Sequence, residues 1–176
     1  MKTIIAYVLP LLISCSKPTV NHSEIKLDLR GKHLTAIPNE VLENTNIVYL
    51  DLGSCEISFY PPLSTADHSK ANSLTKLPER IGKLTKLKTL ILNTNKLTTL
   101  PNSITKLKQL EVLDLSINTE LDIVKELDKL KRLPNLKVLK IVDVKLSRDD
   151  FEVVKKSLSP EIKIIVTIQE YADSIN

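Results

Sequence analysis

The chain has 176 residues, of which 42% are apolar, 3% are aromatic and only three are glycines. This length suggests one domain, and its core must be aliphatic because aromatic residues are scarce and tryptophan is absent. The net charge of +4 is small and spread along the chain, which excludes the concentrated basic patch of a nucleic-acid-binding protein, so we expect no nucleic-acid partner.

The first fourteen residues have the composition of a signal peptide. A single Lys2 precedes an apolar run over residues 4–13, which is too short to span a bilayer. The sequence LISC, which ends at Cys15, resembles the lipobox of bacterial lipoproteins. That resemblance implies an exported lipoprotein whose Cys15 carries the acyl chains that anchor it to a bacterial membrane. Ordinary cleavage after Ser16, giving a secreted protein, and an uncleaved anchor are the alternatives.

Residues 15–23 are polar and contain a proline, so we interpret them as a tether that joins the signal peptide, residues 1–14, to a folded domain. The sequence has two cysteines. If Cys15 is acylated or removed, Cys55 has no intramolecular partner, and we expect the domain to be stable without disulfides.

From residue 24 onwards, leucines recur at regular intervals. The first repeated slot holds Leu27, Leu50, Leu90, Leu113 and Leu139, at separations of 23, 40, 23 and 26 residues. The clearest copy is LKTLILNTNKLTTLPNSITKL at residues 87–107. Its order of Leu-x-Leu, Asn-x-Leu and Leu-Pro resembles a leucine-rich repeat of the 23-residue type.

The resemblance implies an α/β solenoid over residues 24–168, with a curved parallel sheet of five to six strands on the concave face. Short helices or 3-10 turns would line the convex face. Because side chains alternate along a strand, both leucines of each Leu-x-Leu pair face one side and stack between coils. Asn95 and Asn118 are predicted to bond backbone groups of an inward turn. In the first coil this slot holds Lys32. In the second coil both Cys55, in Cys55-Glu56-Ile57, and Asn72, in Asn72-Ser73-Leu74, fit it.

The longest interval between repeats contains an insertion at about residues 55–71. If it were a full coil, Asp67 and Ser69 would occupy positions of buried leucines, and burying an unpaired carboxylate is costly. We therefore predict a loop that leaves the solenoid near the concave rim. Its Phe59 and Tyr60 are candidate binding residues. The alternative is that both aromatic side chains cover the core as an ordinary repeat turn.

The C-terminal part is predicted to close the solenoid. Residues 121–131 form a convex helix, and residues 147–168 form a helix-strand cap. In this cap Ser147 is the helix N-cap and residues 162–168 form the last strand. We predict a loose tail over residues 169–176.

Sequence motifs of catalysis are missing. The chain has no glycine-rich phosphate loop, no CxxC, no HExxH and no GxSxG. The adjacent carboxylates Asp149 and Asp150 are explained by charge complementarity at a helix N-terminus. Cys55 falls in a slot that predicts burial, where a thiol is inert. We predict a protein that is not an enzyme and that uses no cofactor or metal.

Repeat solenoids bind partners on the strand-lined concave face, so the outward strand positions are the candidate binding residues. They are Tyr49, Asp51, Ile91, Asn93, Val112, Asp114, Ser116, Val138 and Lys140. An apolar centre with a polar rim is typical of a protein-binding patch. The alternative is that β-branched residues merely suit strands.

We therefore predict an exported interaction module with a protein ligand. A structural envelope lipoprotein and an intracellular adaptor are the alternatives. A monomer is favoured, and the oligomeric state is left open.

Overall fold

The computed structural model of the protein describes residues 24–53 and 71–174. They contain one six-stranded parallel sheet whose strand order follows the chain. The strands are β1 Ile25–Asp28, β2 Ile47–Asp51, β3 Thr89–Ile91, β4 Val112–Asp114, β5 Val138–Lys140 and β6 Lys163–Ile165. This architecture confirms the predicted leucine-rich repeat solenoid, for which five to six strands were expected.

The coil-closing segments stack in chain order on the side of the sheet that faces the core. They are α1 Asn39–Glu43, the 3-10 helices η1 Glu79–Lys83 and η2 Asn102–Lys106, α2 Ile123–Leu130 and α3 Arg148–Ser157. Prolines 38, 78 and 101 directly precede the first three. Proline suits these positions because the first N–H groups of a helix have no partner within it. The segments are close enough that a Cβ at Gly82 would lie 2.7 Å from that of Ser103.

The leucines of the repeat form one aliphatic core. Leu50, Leu90, Leu113 and Leu139 pair in register across four strands and are fully buried. Each buried leucine of this kind stabilises the fold by about 2 kcal/mol relative to exposure. Leu27 in β1 is only partly buried because its coil has a neighbour on one side among the described residues.

An asparagine ladder satisfies the backbone groups at the inward turns. The amide of Asn118 donates to the carbonyls of Leu92 and Leu115 and accepts from the N–H of Leu97. Asn95 makes the equivalent bonds one coil earlier, and both side chains are buried, as predicted.

In the second coil the sequence offers both Cys55 and Asn72 for the asparagine slot. The slot is filled by Asn72, whose amide donates to the carbonyls of Leu29 and Leu52 and accepts from the N–H of Leu34. The Asn72 amide makes more hydrogen bonds to the backbone than a thiol could, which explains why Asn72 and not Cys55 fills the slot. Cys55 itself lies outside the described residues.

The position of Asn72 also defines the insertion. β2 pairs directly with β3, so no strand lies between them in the described sheet. Asn72 stands 17 positions after the residue that the ordinary spacing would put in the slot. The interval of 40 residues is thus one coil of 23 plus an excursion of 17. Phe59 and Tyr60 fall in that excursion, outside the described residues.

The C-terminal region is partly as predicted. Ser147 caps α3 in a capping box with Asp150, and β6 is shorter than the strand predicted at residues 162–168. The prediction of a loose tail over residues 169–176 is wrong for the described part. Ile168–Asp173 form a further helix, α4, which begins with a capping box between Thr167 and Glu170.

Candidate functional site

The outward positions of the strands form a second, solvent-side layer on the sheet. One rung of this layer consists of residues that pair in register from β1 to β6. They are Lys26, Tyr49, Thr89, Val112, Val138 and Lys163. The next outward rung is Asp28, Asp51, Ile91, Asp114, Lys140 and Ile165. We call this layer the concave face.

Helix α4 covers the C-terminal half of the concave face, and its buried side chain is that of Tyr171. Tyr171 is 1% exposed and packs against Val142 and Ile165, with Val138 at the edge. Its hydroxyl donates to Oδ2 of Asp114 at 2.6 Å and accepts from Nδ2 of Asn93 at 2.8 Å. The phenol is therefore satisfied at its polar tip and packed along its ring. We call the residues that receive it the tyrosine site.

Lys140 completes the tyrosine site, and Ser174, the C-cap of α4, contacts it. The Lys140 ammonium lies 4.6 Å from the centroid of the Tyr171 ring, which is the range of a cation–π contact. The same ammonium donates to Oγ of Ser174 at 2.7 Å, and this Oγ donates to the Tyr171 carbonyl at 2.6 Å. Burial lowers the pKa of Lys140, an effect that the nearby Asp114 carboxylate opposes.

Asp114 lies at the floor of the tyrosine site and is 1% exposed. Its Oδ1 accepts from the N–H of Ser116 at 3.0 Å, which leaves Oδ2 for the Tyr171 hydroxyl. Burial raises the pKa of Asp114, although the hydrogen bonds from Tyr171 and Ser116 favour the carboxylate. Burial and the neighbouring Asp114 carboxylate likewise raise the pKa of Tyr171.

Asp51 has the same place in the N-terminal half of the concave face and is 3% exposed. Its Oδ1 accepts from the N–H of Gly53 at 3.0 Å, and its Oδ2 accepts from the hydroxyl of Tyr49 at 3.1 Å. Nε of Arg30 lies 3.4 Å from the same Oδ2. Burial raises the pKa of Asp51, and burial together with Asp51 raises that of Tyr49 to about 12.

Five of the predicted partner-binding residues are buried rather than presented to solvent. They are Asp51, Asn93, Asp114, Ser116 and Lys140. Asp51 and Asp114 turn back to accept the N–H two residues later, and a tyrosine hydroxyl covers the second carboxylate oxygen of each. In the C-terminal half, α4 covers what remains.

The other predicted residues stay accessible. Tyr49, Ile91 and Val112 are partly exposed, together with Thr89 on the same rung. Asp28 and Arg30 are exposed beside them, and Nη2 of Arg30 lies 2.7 Å from Oδ2 of Asp28. We call these six residues the open half. The remaining predicted residue, Val138, packs against the cluster that holds Tyr171.

The sequence did not identify Gly53, Tyr171 or Ser174 as residues of the site. A Cβ at Gly53 would lie 2.0 Å from Oδ1 of Asn93, so only glycine leaves room for the amide that supports Tyr171. The readable signal for α4 was the sequence TIQE at residues 167–170, because Thr-x-x-Glu is typical of a capping box.

The convex side carries a polar cavity of about 680 Å³ between η2 and α2. Its charged lining mixes four bases with two acids: Lys106, Lys125, Lys129, Arg132, Glu79 and Asp128. Within residues 24–53 and 71–174, no three histidine, cysteine, aspartate or glutamate side chains are grouped to hold a metal ion. Across the same residues, no helix has the length and apolar character that crossing a membrane requires.

Comparison with known proteins agrees with this architecture. The sequence model of the leucine rich repeat family matches residues 70–119. Fourteen chains of solved structures match this chain. One of them is a leucine-rich repeat protein of Leptospira interrogans, with 27% identity over 80% of this chain and a TM-score of 0.56. The match covers 36% of that protein, so this chain spans about a third of its length. No curated protein matches the sequence.

The family match at residues 70–119 contains the strands β3 and β4. It also contains the three residues of the asparagine ladder, which are Asn72, Asn95 and Asn118. Sequence pattern, strand register and these likenesses together show that the chain has the leucine-rich repeat solenoid fold, with residues 70–119 matching the leucine rich repeat family.

Proposed function

We propose that the chain is a non-catalytic interaction module that binds a protein partner through the open half of its concave face. The observation that carries the proposal is the row of partly exposed Tyr49, Thr89 and Val112 on three adjacent strands, with Ile91 beside it. Neighbouring strands are about 4.8 Å apart, so these side chains form one continuous surface.

The rim of this surface is charged. Asp28 and Arg30 are exposed and paired with each other at its N-terminal edge. A mainly apolar centre with a polar rim supports protein binding, because the centre excludes water and the rim selects orientation. An exposed ion pair by itself stabilises the fold little, typically by less than about 1 kcal/mol, so these charges are available to a partner.

The insertion strengthens the case for this half. Residues 54–70 lie between Gly53 and Ala71 in the sequence, and Gly53 stands two residues after Asp51, the last residue of β2. We propose that Phe59 and Tyr60 add to the binding surface from this position. Loops of this length on a repeat scaffold are often functional.

Site-specific photo-crosslinking tests the proposed face. A photoreactive side chain at Thr89, in the open half, should give a discrete crosslinked product in the native environment. The matched control places the same group at Lys125, an exposed position on α2. The product at Thr89 should disappear in the variant Tyr49→Ala with Ile91→Ala. Equal products at Thr89 and Lys125 would move binding away from the concave face.

The N-terminal segment supports a second part of the proposal, which is export and lipid anchoring at Cys15. The supporting observation is the sequence LISC after the apolar run, and residues 1–23 lie outside the described residues. Metabolic labelling with a palmitate analogue should mark the wild-type protein and not Cys15→Ala. An unlabelled wild-type protein would reject the anchor and favour secretion.

A further inference from the structure

Helix α4 is not needed to continue the sheet, yet it lies on the face where partners are proposed to bind. It follows β6 after two residues, and Tyr171 is its buried residue. Ile168, on the same helix, is 52% exposed, and Gln169, Glu170 and Asp173 are exposed as well. The helix is therefore attached to the concave face by Tyr171 and by the contacts of Ser174.

The groups that receive Tyr171 belong to the sheet and not to α4. Asp114 and Asn93 supply one acceptor and one donor to the hydroxyl, and Val142 and Ile165 pack against the ring. Oδ1 of Asp114 is fixed by the N–H of Ser116, so Oδ2 points into the site whether or not α4 is there. The receiving site is thus preorganised for a phenol.

We propose that α4 is a built-in occupant and that the tyrosine site recognises a protein segment that presents a tyrosine side chain, in competition with α4. This inference rests on the proposed function of the concave face. It adds the class of ligand that the C-terminal half accepts. Because a helix of six residues has little stability by itself, α4 can leave the sheet without unfolding the solenoid.

The chemistry of the site selects tyrosine over its relatives. A phenylalanine would fill the apolar wall but would leave the buried Asp114 carboxylate and Asn93 amide without the hydroxyl. A phosphotyrosine would place its phosphate at the hydroxyl position, which lies 2.6 Å from Oδ2 of Asp114. The two negative groups would repel each other there. Lys140, over the ring, favours any aromatic ligand and does not discriminate among them.

The tyrosine site is continuous with the open half. Val112 in the open half pairs in register with Val138, which contacts the cluster around Tyr171. A partner that lies across the strands can therefore occupy both halves once α4 is displaced. A ligand can displace α4 only if it binds the chain with α4 detached more tightly than the chain with α4 in place. Removal of the Tyr171 contacts should therefore strengthen binding of a competing segment.

The test uses the full-length chain and a synthetic peptide of residues 167–174, Thr-Ile-Gln-Glu-Tyr-Ala-Asp-Ser. The peptide is titrated to about 2 mM, the scale of effective concentration of a tethered segment. Amide resonances of Ser116 and Val142 report on binding. We expect Tyr171→Ala to bind the peptide at least about tenfold more tightly than the wild-type chain, because α4 no longer competes. Peptides with phenylalanine or phosphotyrosine in place of the tyrosine should bind more weakly by a similar factor.

Absence of peptide binding to Tyr171→Ala, or equal binding of the tyrosine and phenylalanine peptides, overturns the inference. A second measurement keeps the test valid if Tyr171→Ala folds poorly. Excess tyrosine peptide added to the wild-type chain should accelerate hydrogen exchange in residues 168–174, and unchanged exchange rejects displacement. If the peptide tests fail while crosslinking at Thr89 succeeds, the tyrosine site is rejected and the proposed function stands. The reverse result rejects the open half as the binding surface.

Discussion

Asp51 and Asp114 occupy the same position of two coils, yet their surroundings differ in where the second hydrogen-bond partner comes from. Both accept the N–H of the residue two positions later. The hydroxyl on Asp51 belongs to Tyr49, two residues away, whereas the hydroxyl on Asp114 belongs to Tyr171, 57 residues away. The carboxylate beside the open half is therefore satisfied by its own strand. The part of the concave face beneath α4, which we call the covered half, depends on that helix.

The charges of the two halves follow the same division. Arg30 stands at the solvent edge near Asp51, and Lys140 is enclosed between the Tyr171 ring and Ser174. A cation at the edge remains available to a partner, whereas the enclosed one stabilises the cover. The same repeated position therefore has a partner from its own strand in one coil and a partner from α4 in another.

Loss of a ladder asparagine should destabilise the coil of Asp51 and the coil of Asp114 equally, and this is the largest expected effect. Asn72→Ala in the first of these coils and Asn118→Ala in the second each leave three or more buried backbone groups without a partner. We expect each to lower the free energy of unfolding in urea by about 3 kcal/mol. Asn135→Ala, at an exposed position, is the control. A much smaller loss for Asn72→Ala would mean that Asn72 does not complete the second coil.

Removal of the tyrosine hydroxyl groups should affect the stability of the two halves differently. Tyr171→Phe leaves a buried carboxylate and amide without their shared partner, and we expect a loss of about 2 kcal/mol. Tyr49→Phe affects a partly exposed hydroxyl, and we expect less than about 0.5 kcal/mol. Thermal or urea unfolding measures both. Equal losses would show that the Tyr171 hydroxyl on α4 stabilises the fold no more than the Tyr49 hydroxyl does.

The pH dependence of stability should have opposite signs at Asp114 and Asp28. Burial raises the pKa of Asp114 above its ordinary value of 3.8. Its contribution is therefore fully present below pH 3.8 and is lost as pH rises through the raised pKa. Hydrogen bonds from Arg30 lower the pKa of Asp28. Its contribution is present above pH 3.8 and is lost as pH falls through the lowered pKa.

The measurement is urea unfolding of the wild type, Asp114→Asn and Asp28→Asn between pH 3 and pH 7, which spans about the range of carboxylate titration. The wild-type advantage over Asp114→Asn should shrink as pH rises, and the advantage over Asp28→Asn should grow. Slopes of the same sign would contradict the difference in burial between the two carboxylates.

Deletion of residues 54–70 should have the smallest effect on stability. It joins Gly53 to Ala71 and restores the ordinary spacing before Asn72. Because loop-closure entropy changes slowly with length, we expect the free energy of unfolding to change by less than about 1 kcal/mol. Crosslinking from Thr89 should fall if the excursion adds to the open half. Failure of the deletion variant to fold would show that residues 54–70 form part of the core.

The sequence was sufficient for the parts of the fold that depend on period. Leu90, Leu113 and Asn118 could be assigned because their spacing repeats and their environment follows from the strand and turn. Asn72 could not be assigned against Cys55, since both fit the slot and only the route of the chain decides between them. The period of the leucines thus predicts the sheet, whereas the insertion before Asn72 makes that member of the asparagine ladder ambiguous.

The candidate site was less predictable because it depends on contacts that are distant in sequence. Outward positions such as Tyr49, Ile91 and Val112 could be found by alternation. Alternation does not reveal that the Asp114 side chain turns back to a backbone N–H or that Tyr171 covers it. A short polar segment at the C-terminus is usually poorly ordered. Residues 169–176 were therefore predicted to be a loose tail despite the capping-box sequence that begins at Thr167.

Hydrogen exchange of residues 168–174 in the wild-type chain tests the division of the concave face most directly. We predict that these amides exchange at least about tenfold more slowly than in the urea-unfolded chain. In Tyr171→Ala this protection should be lost, while the amides of β4 keep theirs. Residues 168–174 that exchange in the wild type as fast as in the unfolded chain would show that the tyrosine site is empty and the whole concave face is open.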